Sequence, residues 1–379
     1  MSLALSTLLY EWRRYLAAVI ALAVAGLLVL AMSGLFMGMS KTATATIDRS
    51  AASIIVLRPD AEELFGNHTD QPRRNIAEIY RHPEVVKVNA TYVNFGGWSN
   101  FPKNDQPARS EGVMMMIVNP VKGALTLPTD FDDTIIDALQ QPLAVVVDHS
   151  SLRKLGVKVG DKAKINDQTV WVRATTSGYP NIFFSMVFVS PQTAKQLYLW
   201  SDGANVGPLM VAIKDPTRAE QVATELNVIA KGHFKAWTRD DLSRTNQKAM
   251  LKDSGISVML GFAVVVGIFI GIVITWQTLQ GAILANIREF ASLRALGISM
   301  RSLRLIIMEL SLWVGIAGLV LTAVLTGIVW MLARVFGVPM DFPLFVDIPV
   351  AIGLLVLAVL SGVFSLGVLK KSQPANLLR

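Results

Sequence analysis

SGISVMLGFAVVVGIFIGIVITWQTLQGAILANIREFASLRALGISMRSLR, residues 254–304, is the stretch around which the chain is organised. Residues 254–287, 34 in all, contain no Asp, Glu, Lys or Arg. At 1.5 Å per residue a helix of that length reaches roughly 50 Å, against a hydrocarbon core of about 30 Å. The spacing predicts a membrane-spanning helix with turns to spare, and residues 248–253 rise before it as a stalk. The run stops at Arg288-Glu289-Phe290-Ala291-Ser292-Leu293-Arg294-Ala295-Leu296-Gly297, a short basic helical pattern closed by a glycine. A further apolar run starts at Leu305. A spanning helix, a basic elbow and a return helix make a device able to carry force across a membrane.

The totals agree. Of 379 residues 52% are hydrophobic, and the mean hydropathy of +0.47 exceeds that of an ordinary soluble domain. With no cysteine, neither a disulfide framework nor a thiolate metal site is available. The net charge of +7 does not point to nucleic acid: residues 41–253 carry 25 basic and 23 acidic side chains, and the excess lies beside apolar runs.

Residues 1–14 read as a cytoplasmic interfacial helix anchored by Trp12, Arg13, Arg14 and Tyr15. Residues 15–40 form a first span; they exceed a signal-peptide core of about 7–15 residues, so an uncleaved helix is expected. Residues 41–253 make a polar α+β extracytoplasmic domain with strands expected at 53–57, 85–93, 113–118, 143–147, 169–174, 186–189 and 209–213. Helices are expected at 71–81, 150–155, 191–198 and 218–231, and Asn166-Asp167 at a hairpin in a β-rich module. After the second span (254–287) and the elbow (288–304) come a third span (305–333), a short outer loop (334–347), a fourth span (348–369) and a cytoplasmic tail (370–379). The fold class is therefore a membrane protein of four transmembrane helices plus one α+β domain between the first two. Nine basic residues, at 13, 14, 288, 294, 301, 304, 370, 371 and 379, fall on one side of this arrangement. The positive-inside bias puts both termini and the elbow in the cytoplasm of a bacterial inner membrane, and the large domain in the periplasm.

Enzymatic signatures are missing: no phosphate-binding Gly-rich loop ending in Lys-Ser/Thr, no His-Glu-x-x-His pair, no Gly-x-Ser-x-Gly elbow. His68, His82, His149 and His233 lack ligand spacing, and Met114-Met115-Met116 alternates across a strand as packing residues do. In the elbow, Phe290, Leu293 and Leu296 make an apolar stripe flanked by Arg288 and Arg294. It either lies on anionic lipid or docks into a groove of a cytoplasmic partner. Glu309 is the only carboxylate within a span; it lies within reach of interfacial water or a basic neighbour, and conformational coupling or substrate passage is the other role open to it. Gly34-x3-Gly38 and Gly267-x3-Gly271 permit close helix approach, either at a dimer interface or within one subunit.

Taken together these features resemble the MacB/FtsX-like permease superfamily of ABC systems, in the subgroup whose ATPase is a separate subunit, such as glycolipid- and haem-exporter-type permeases. The 288–297 segment resembles the family's coupling helix, and Glu309 its acidic residue at the start of the third span. Gln373-Pro374-Ala375-Asn376-Leu377-Leu378-Arg379 is similar to its terminal signature, with Gln where Asp is usual. Residues 143–148, 155–161 and 188–197 resemble its outer-domain strand, Leu-Gly-x-x-x-Gly-Asp turn and Val-Ser-x-x-x-Ala segment. The resemblance implies a porter-like module split around an inserted β-rich subdomain, and a homodimer coupled through residues 288–297 to an ABC ATPase. ATP and Mg are then used by that partner, with no cofactor bound directly and no catalytic role for this chain. A periplasmic adaptor and an outer-membrane channel are further implied partners. The function expected is mechanical export of a hydrophobic or amphiphilic substrate such as a lipid, haem or drug; the alternative is an FtsX-like permease that activates periplasmic proteins without transport.

Overall fold

The computed structural model describes residue 10 and residues 12–64, 70–102, 108–181, 184–200, 203–253, 255–285 and 299–371. The elements in chain order are α1 (Trp12–Asp48), β1 (Ile54–Leu57), β2 (Gln71–Pro72), α2 (Arg74–Ile79), β3 (Val85–Ala90), β4 (Tyr92–Asn100) and β5 (Ser110–Ile117). Then follow α3 (Asp133–Gln140), β6 (Ala144–Asp148), α4 (Leu152–Leu155), β7 (Lys162–Ile165), β8 (Gln168–Thr176), β9 (Ser185–Val189) and α5 (Pro191–Gln196). The chain continues through β10 (Asn205–Val206), β11 (Leu209–Ile213), α6 (Ala219–Ala230), β12 (Lys235–Thr238), α7 (Arg239–Asp253), α8 (Gly255–Ala285), α9 (Met300–Phe336) and α10 (Leu344–Lys371). Two compact units result: a helical one of residues 1–38, 255–334 and 340–379, and a mixed one of residues 39–254 and 335–339.

The mixed unit holds two cores. Strands β12-β1-β11-β3 form an antiparallel sheet. Successive side chains on a strand point to opposite faces, so Ile54 and Val56 pack with Val222 and Leu226 of α6, while Ile55 and Leu57 pack with Ile47 of α1 and Leu242 of α7. All four residues of β1 are buried, and each such side chain contributes about 1.5–3 kcal/mol. The second core is a closed barrel, β4-β5-β9-β6-β8-β7, inserted in the chain between two strands of the sheet. Its interior is filled by Trp98, Val113, Met115, Val145, Val172 and Val187. Its outer layer is Met114, Met116, Val146 and Phe188, covered by Ile135 and Leu139 of α3. The three methionines thus divide between the two faces of β5.

The stretch expected as one strand over 85–93 is two, because the chain leaves the sheet for the barrel at Thr91. There the Thr91 N–H donates to Pro208 O (2.8 Å), and Gly207 lies so close that an added Cβ would stand 2.1 Å from the Thr91 carbonyl oxygen. The helix expected from residue 71 starts at Arg74, since Gln71 pairs with Val206 as a strand. Asn166 and Asp167, at φ 48° and 67°, make the β7–β8 turn, the left-handed geometry that two-residue hairpin loops require.

In the helical unit small residues set the packing. A Cβ on Gly271 would stand 2.5 Å from Ala25 Cβ, and one on Gly267 3.3 Å from Leu28 Cβ, so α8 lies directly against α1. Gly318 of α9 receives Leu22, and Gly26 of α1 receives Thr322 and Leu354. Gly315 and Gly362 hold α9 to α10 through Ala358 and Ser311. Such contacts replace the hydrophobic drive that is lost in lipid. Among the described residues three helices are long and apolar enough to cross a membrane: Tyr15–Thr42, Arg304–Phe336 and Leu344–Val363. Within α8, 31 residues long, the described apolar stretch is Gly261–Ile274.

Candidate functional site

Where α1 ends, two consecutive residues are keyed into both cores of the mixed unit. The helix closes with Thr44 Oγ1 donating to Asp48 Oδ2 (2.8 Å) and Arg49 N–H donating to Ala45 O (3.1 Å). Arg49 then reaches toward the barrel side. Its Nη1 donates to Asp130 Oδ2 (2.9 Å) and Ser177 O (3.2 Å), and its guanidinium stacks 4.6 Å from the Tyr179 ring centre. Gly178 sits at φ +96°, and a Cβ there would stand 2.4 Å from Arg49 Nη2. Only glycine combines that backbone with that approach.

Tyr179 is 2% exposed, and its hydroxyl donates to Asp130 Oδ1 (2.9 Å). Burial pushes the phenol above its ordinary range and the neighbouring Asp130 charge adds to this, against the opposing effect of Arg49. The phenol therefore stays protonated and remains a donor. The Tyr179 N–H donates to Asp148 Oδ2 (2.9 Å), while Asp148 Oδ1 accepts from the Ser150 N–H (3.0 Å) and hydroxyl. Ser150 in turn meets residues 335–339. A Cβ on Gly337 (φ +70°) would stand 2.8 Å from Ser150 O, and Arg153 lies over the Phe336 ring at 5.6 Å. A continuous chain of contacts thus runs Arg49–Asp130–Tyr179–Asp148–Ser150–Gly337.

Ser50 serves the other core. Its hydroxyl donates to Leu125 O (3.5 Å) and lies 3.7 Å from Met210 Sδ, and its carbonyl accepts from Arg239 at the start of α7 (3.4 Å). Thr129 N–H donates to Arg49 O (2.8 Å). The Arg49–Asp130 ion pair, about a third exposed on both sides, contributes about 0.2–1 kcal/mol. The arrangement ties the end of α1, the start of α7, the barrel's outer layer and residues 335–339 into one node.

The expected coupling residues Arg288, Glu289, Phe290, Leu293, Arg294, Leu296 and Gly297 lie outside the described residues, as does the 373–379 pattern. Glu309 is half-buried on α9. Gly34, Gly267 and Gly271 face Phe342, Leu28 and Ala25 of the same subunit, and Gly38 is buried one turn beyond Gly34. His82 is 4% exposed; its Nδ1 accepts from Glu84 N–H (3.2 Å), so Nε2 carries the proton it shares with Glu225 (2.7 Å). His233 lies 3.7 Å from Glu78, and His149 is exposed in a short turn. Among the described residues no three His, Asp or Glu side chains converge on a metal position.

The family model for the MacB-like periplasmic core domain matches residues 15–229, more than half the chain. The chain belongs to the MacB/FtsX-like ABC permease superfamily. The model for the FtsX-like permease C-terminal region matches residues 261–374. Two solved structures are similar at 14% identity: the extracellular domain of the noncanonic ABC-type transporter YknZ from Gram-positive bacteria and the periplasmic region of MacB from Actinobacillus actinomycetemcomitans. The first gives a TM-score of 0.32 over 49% of this chain and 100% of that one, the second 0.33 over 54% and 96%. No curated protein matches the sequence.

Membership makes this chain the permease subunit of an ABC system, a membrane protein with a periplasmic domain, and implies an ATPase partner and a dimer. Within the permease, residue-by-residue reading of the sequence did not single out Arg49, Asp130 or Tyr179. The available signal was Gly178-Tyr179-Pro180, a turn that places one aromatic ring, and the charged pair Asp48-Arg49 closing the first apolar helix.

Proposed function

We propose that this permease converts ATP-driven closure of a homodimer into motion of its periplasmic domain, and thereby expels a hydrophobic or amphiphilic substrate such as a lipid, haem or drug. The observation supporting the reading is the Arg49 node. Arg49 and Ser50, which directly follow α1, are hydrogen-bonded to groups from both cores, so displacement of that helix end strains the barrel and the sheet together. Interfaces of this density shift between discrete arrangements instead of deforming smoothly.

In this reading α8 is the second of four spans, both termini are cytoplasmic, and residues 288–297 dock on the separate ATPase, where ATP and Mg are consumed. A periplasmic adaptor and an outer-membrane channel complete the export path. Glu309 acts in conformational coupling on α9.

The test reconstitutes the permease with its ATPase. Charge reversal of Arg288 and Arg294, or Leu293→Asp, should release the ATPase while membrane insertion persists; co-purification and transport at wild-type levels would sink the coupling assignment. Arg49→Ala should leave the ATPase bound and hydrolysing but cut substrate export at least about tenfold, the loss expected when about 1.4 kcal/mol of coupling is removed. ATPase stimulated by a small amphiphile supports export. Stimulation solely by a periplasmic protein moves the assignment to the signalling alternative.

A further inference from the structure

On the outside of the barrel, α4 and the turn after it line a groove of about 450 Å³. Its walls are Phe101, Leu152 and Val157, joined by Arg153, Lys158 and Asp161. Lys164 of β7 brings its ammonium 5.5 Å from the Phe101 ring centre. Two of the cations here have an evident use. Arg109 donates to Arg153 O and to Lys154 O (3.4 Å), so its charge serves the C-terminal carbonyls of α4. Lys154 lies 3.8 Å from Glu111. Asp161 Oδ2 accepts from the Lys158 N–H (3.0 Å), a backbone contact that leaves the Lys158 ammonium free. Among the described residues no carboxylate lies within ion-pair distance of the Arg153, Lys158 or Lys164 side chain.

Position in the chain says what these cations face. The Arg153 guanidinium stands 5.6 Å from the Phe336 ring centre, and Phe336 is the last residue of α9 and of the apolar span Arg304–Phe336. Val335 and Phe336 are 59% and 64% exposed. Less than two turns earlier Arg334 lies 3.9 Å over the Trp330 ring, the aromatic and basic pairing found where a helix leaves the bilayer. A span ends where the head groups begin, so the residue that Arg153 covers stands at the lipid surface. Basic groups within about 8 Å of an anionic bilayer, the screening length at physiological salt, are drawn to it. Three unpaired cations beside an apolar rim are complementary to lipid phosphate with acyl chains beneath it.

We infer that this face of the barrel binds anionic phospholipid at the outer surface of the membrane, with Arg153, Lys158 and Lys164 drawing the phosphates and Phe336 marking the depth. The contact stands whether the permease exports or signals. Val159, 53% exposed beside Lys158, is replaced by Val159→Cys in the otherwise cysteine-free full-length chain and labelled with bimane. The chain is placed in phosphatidylcholine nanodiscs with or without phosphatidylglycerol, each carrying a trace of lipid with a nitroxide on its head group. Quenching should be at least about twofold stronger with phosphatidylglycerol, and this difference should vanish in about 1 M salt, where the screening length falls to about 3 Å. Combined Arg153→Gln, Lys158→Gln and Lys164→Gln should abolish the difference. Combined Lys87→Gln, Lys214→Gln and Lys231→Gln, which removes the same charge from exposed positions around the sheet, should preserve it. Arg153→Lys with Lys158→Arg should preserve it too. Variants are compared at matched thermal midpoints, and if the first triple variant does not fold, Lys158→Gln and the salt arm carry the test. Equal quenching in the two bilayers, or equal loss in both triple variants, overturns the proposal and leaves the basic face to an acidic protein. Suppression by inorganic phosphate at matched ionic strength shows a free-anion site and overturns the lipid assignment. Loss of export with the lipid response intact counts against the proposed function alone.

Discussion

At the scale of single residues, the node at the end of α1 stands on interactions whose removal can be measured one at a time. Tyr179→Phe keeps the ring stacked on Arg49 and deletes the hydroxyl that donates to Asp130. It should lower the stability of the periplasmic domain by about 1 kcal/mol, read by chemical denaturation. Gly178→Ala should cost more, about 1–3 kcal/mol, because it strains a φ of +96° and pushes Arg49 away from Asp130. Equal stability of the two variants would show that Arg49 does not depend on that approach. His82 and Glu225 supply a pH-dependent contact. Hydrogen bonds from His82, then from Gln221, hold the Glu225 carboxyl below its ordinary range. The stabilisation is present above the usual carboxylate pKa and is lost as pH falls through the depressed one. Glu225→Gln should flatten the fall in thermal midpoint on acidification below about pH 4.3; an unchanged slope would remove Glu225 from the acid response. Nothing in the sequence around His82 marks this pair, because its partner lies on α6, well over a hundred residues away.

At the scale of elements, helix contact in the transmembrane unit depends on where glycine permits approach. Gly271→Leu should force α8 off α1 and lower the thermal midpoint of the solubilised permease, by an overpacking cost of about 1–3 kcal/mol. Gly353→Leu, on α10 where an added Cβ meets nothing within 4 Å, should be close to neutral. Similar losses from both would mean that α1 and α8 are not in register as described. The apolar runs and the Asn166-Asp167 turn were legible in the sequence because hydropathy and left-handed turn geometry are local properties. The break at Thr91 was not. It exists because Gly207 and Pro208 reach it from elsewhere, and the continuous strand-like run from Val85 to Val93, with Lys87, Asn89 and Thr91 among its β-formers, carries no trace of them. Gln71 is similar: its helical pattern is overruled by pairing with Val206.

At the scale of the whole molecule, the topology proposed here has a direct test, since the chain has no cysteine and a single one can be introduced anywhere. Lys231→Cys, exposed beyond the end of α6, should react with an impermeant maleimide in intact spheroplasts. Ser372→Cys should react only after permeabilisation. The reverse pattern would place the large domain in the cytosol and end the account. The sequence by itself determined that the chain enters the membrane, that a polar mixed domain follows the first apolar helix, and that a basic elbow precedes the third apolar run. Each of these is a matter of composition summed over tens of residues, so no contact has to be known. Only the tertiary structure decided that the inserted β-rich part closes into a six-stranded barrel, and that Arg49, Asp130, Tyr179, Asp148 and Ser150 meet. Burial and hydrogen bonding are settled by neighbours distant in the chain, and a single sequence records the groups without recording which of them are brought together.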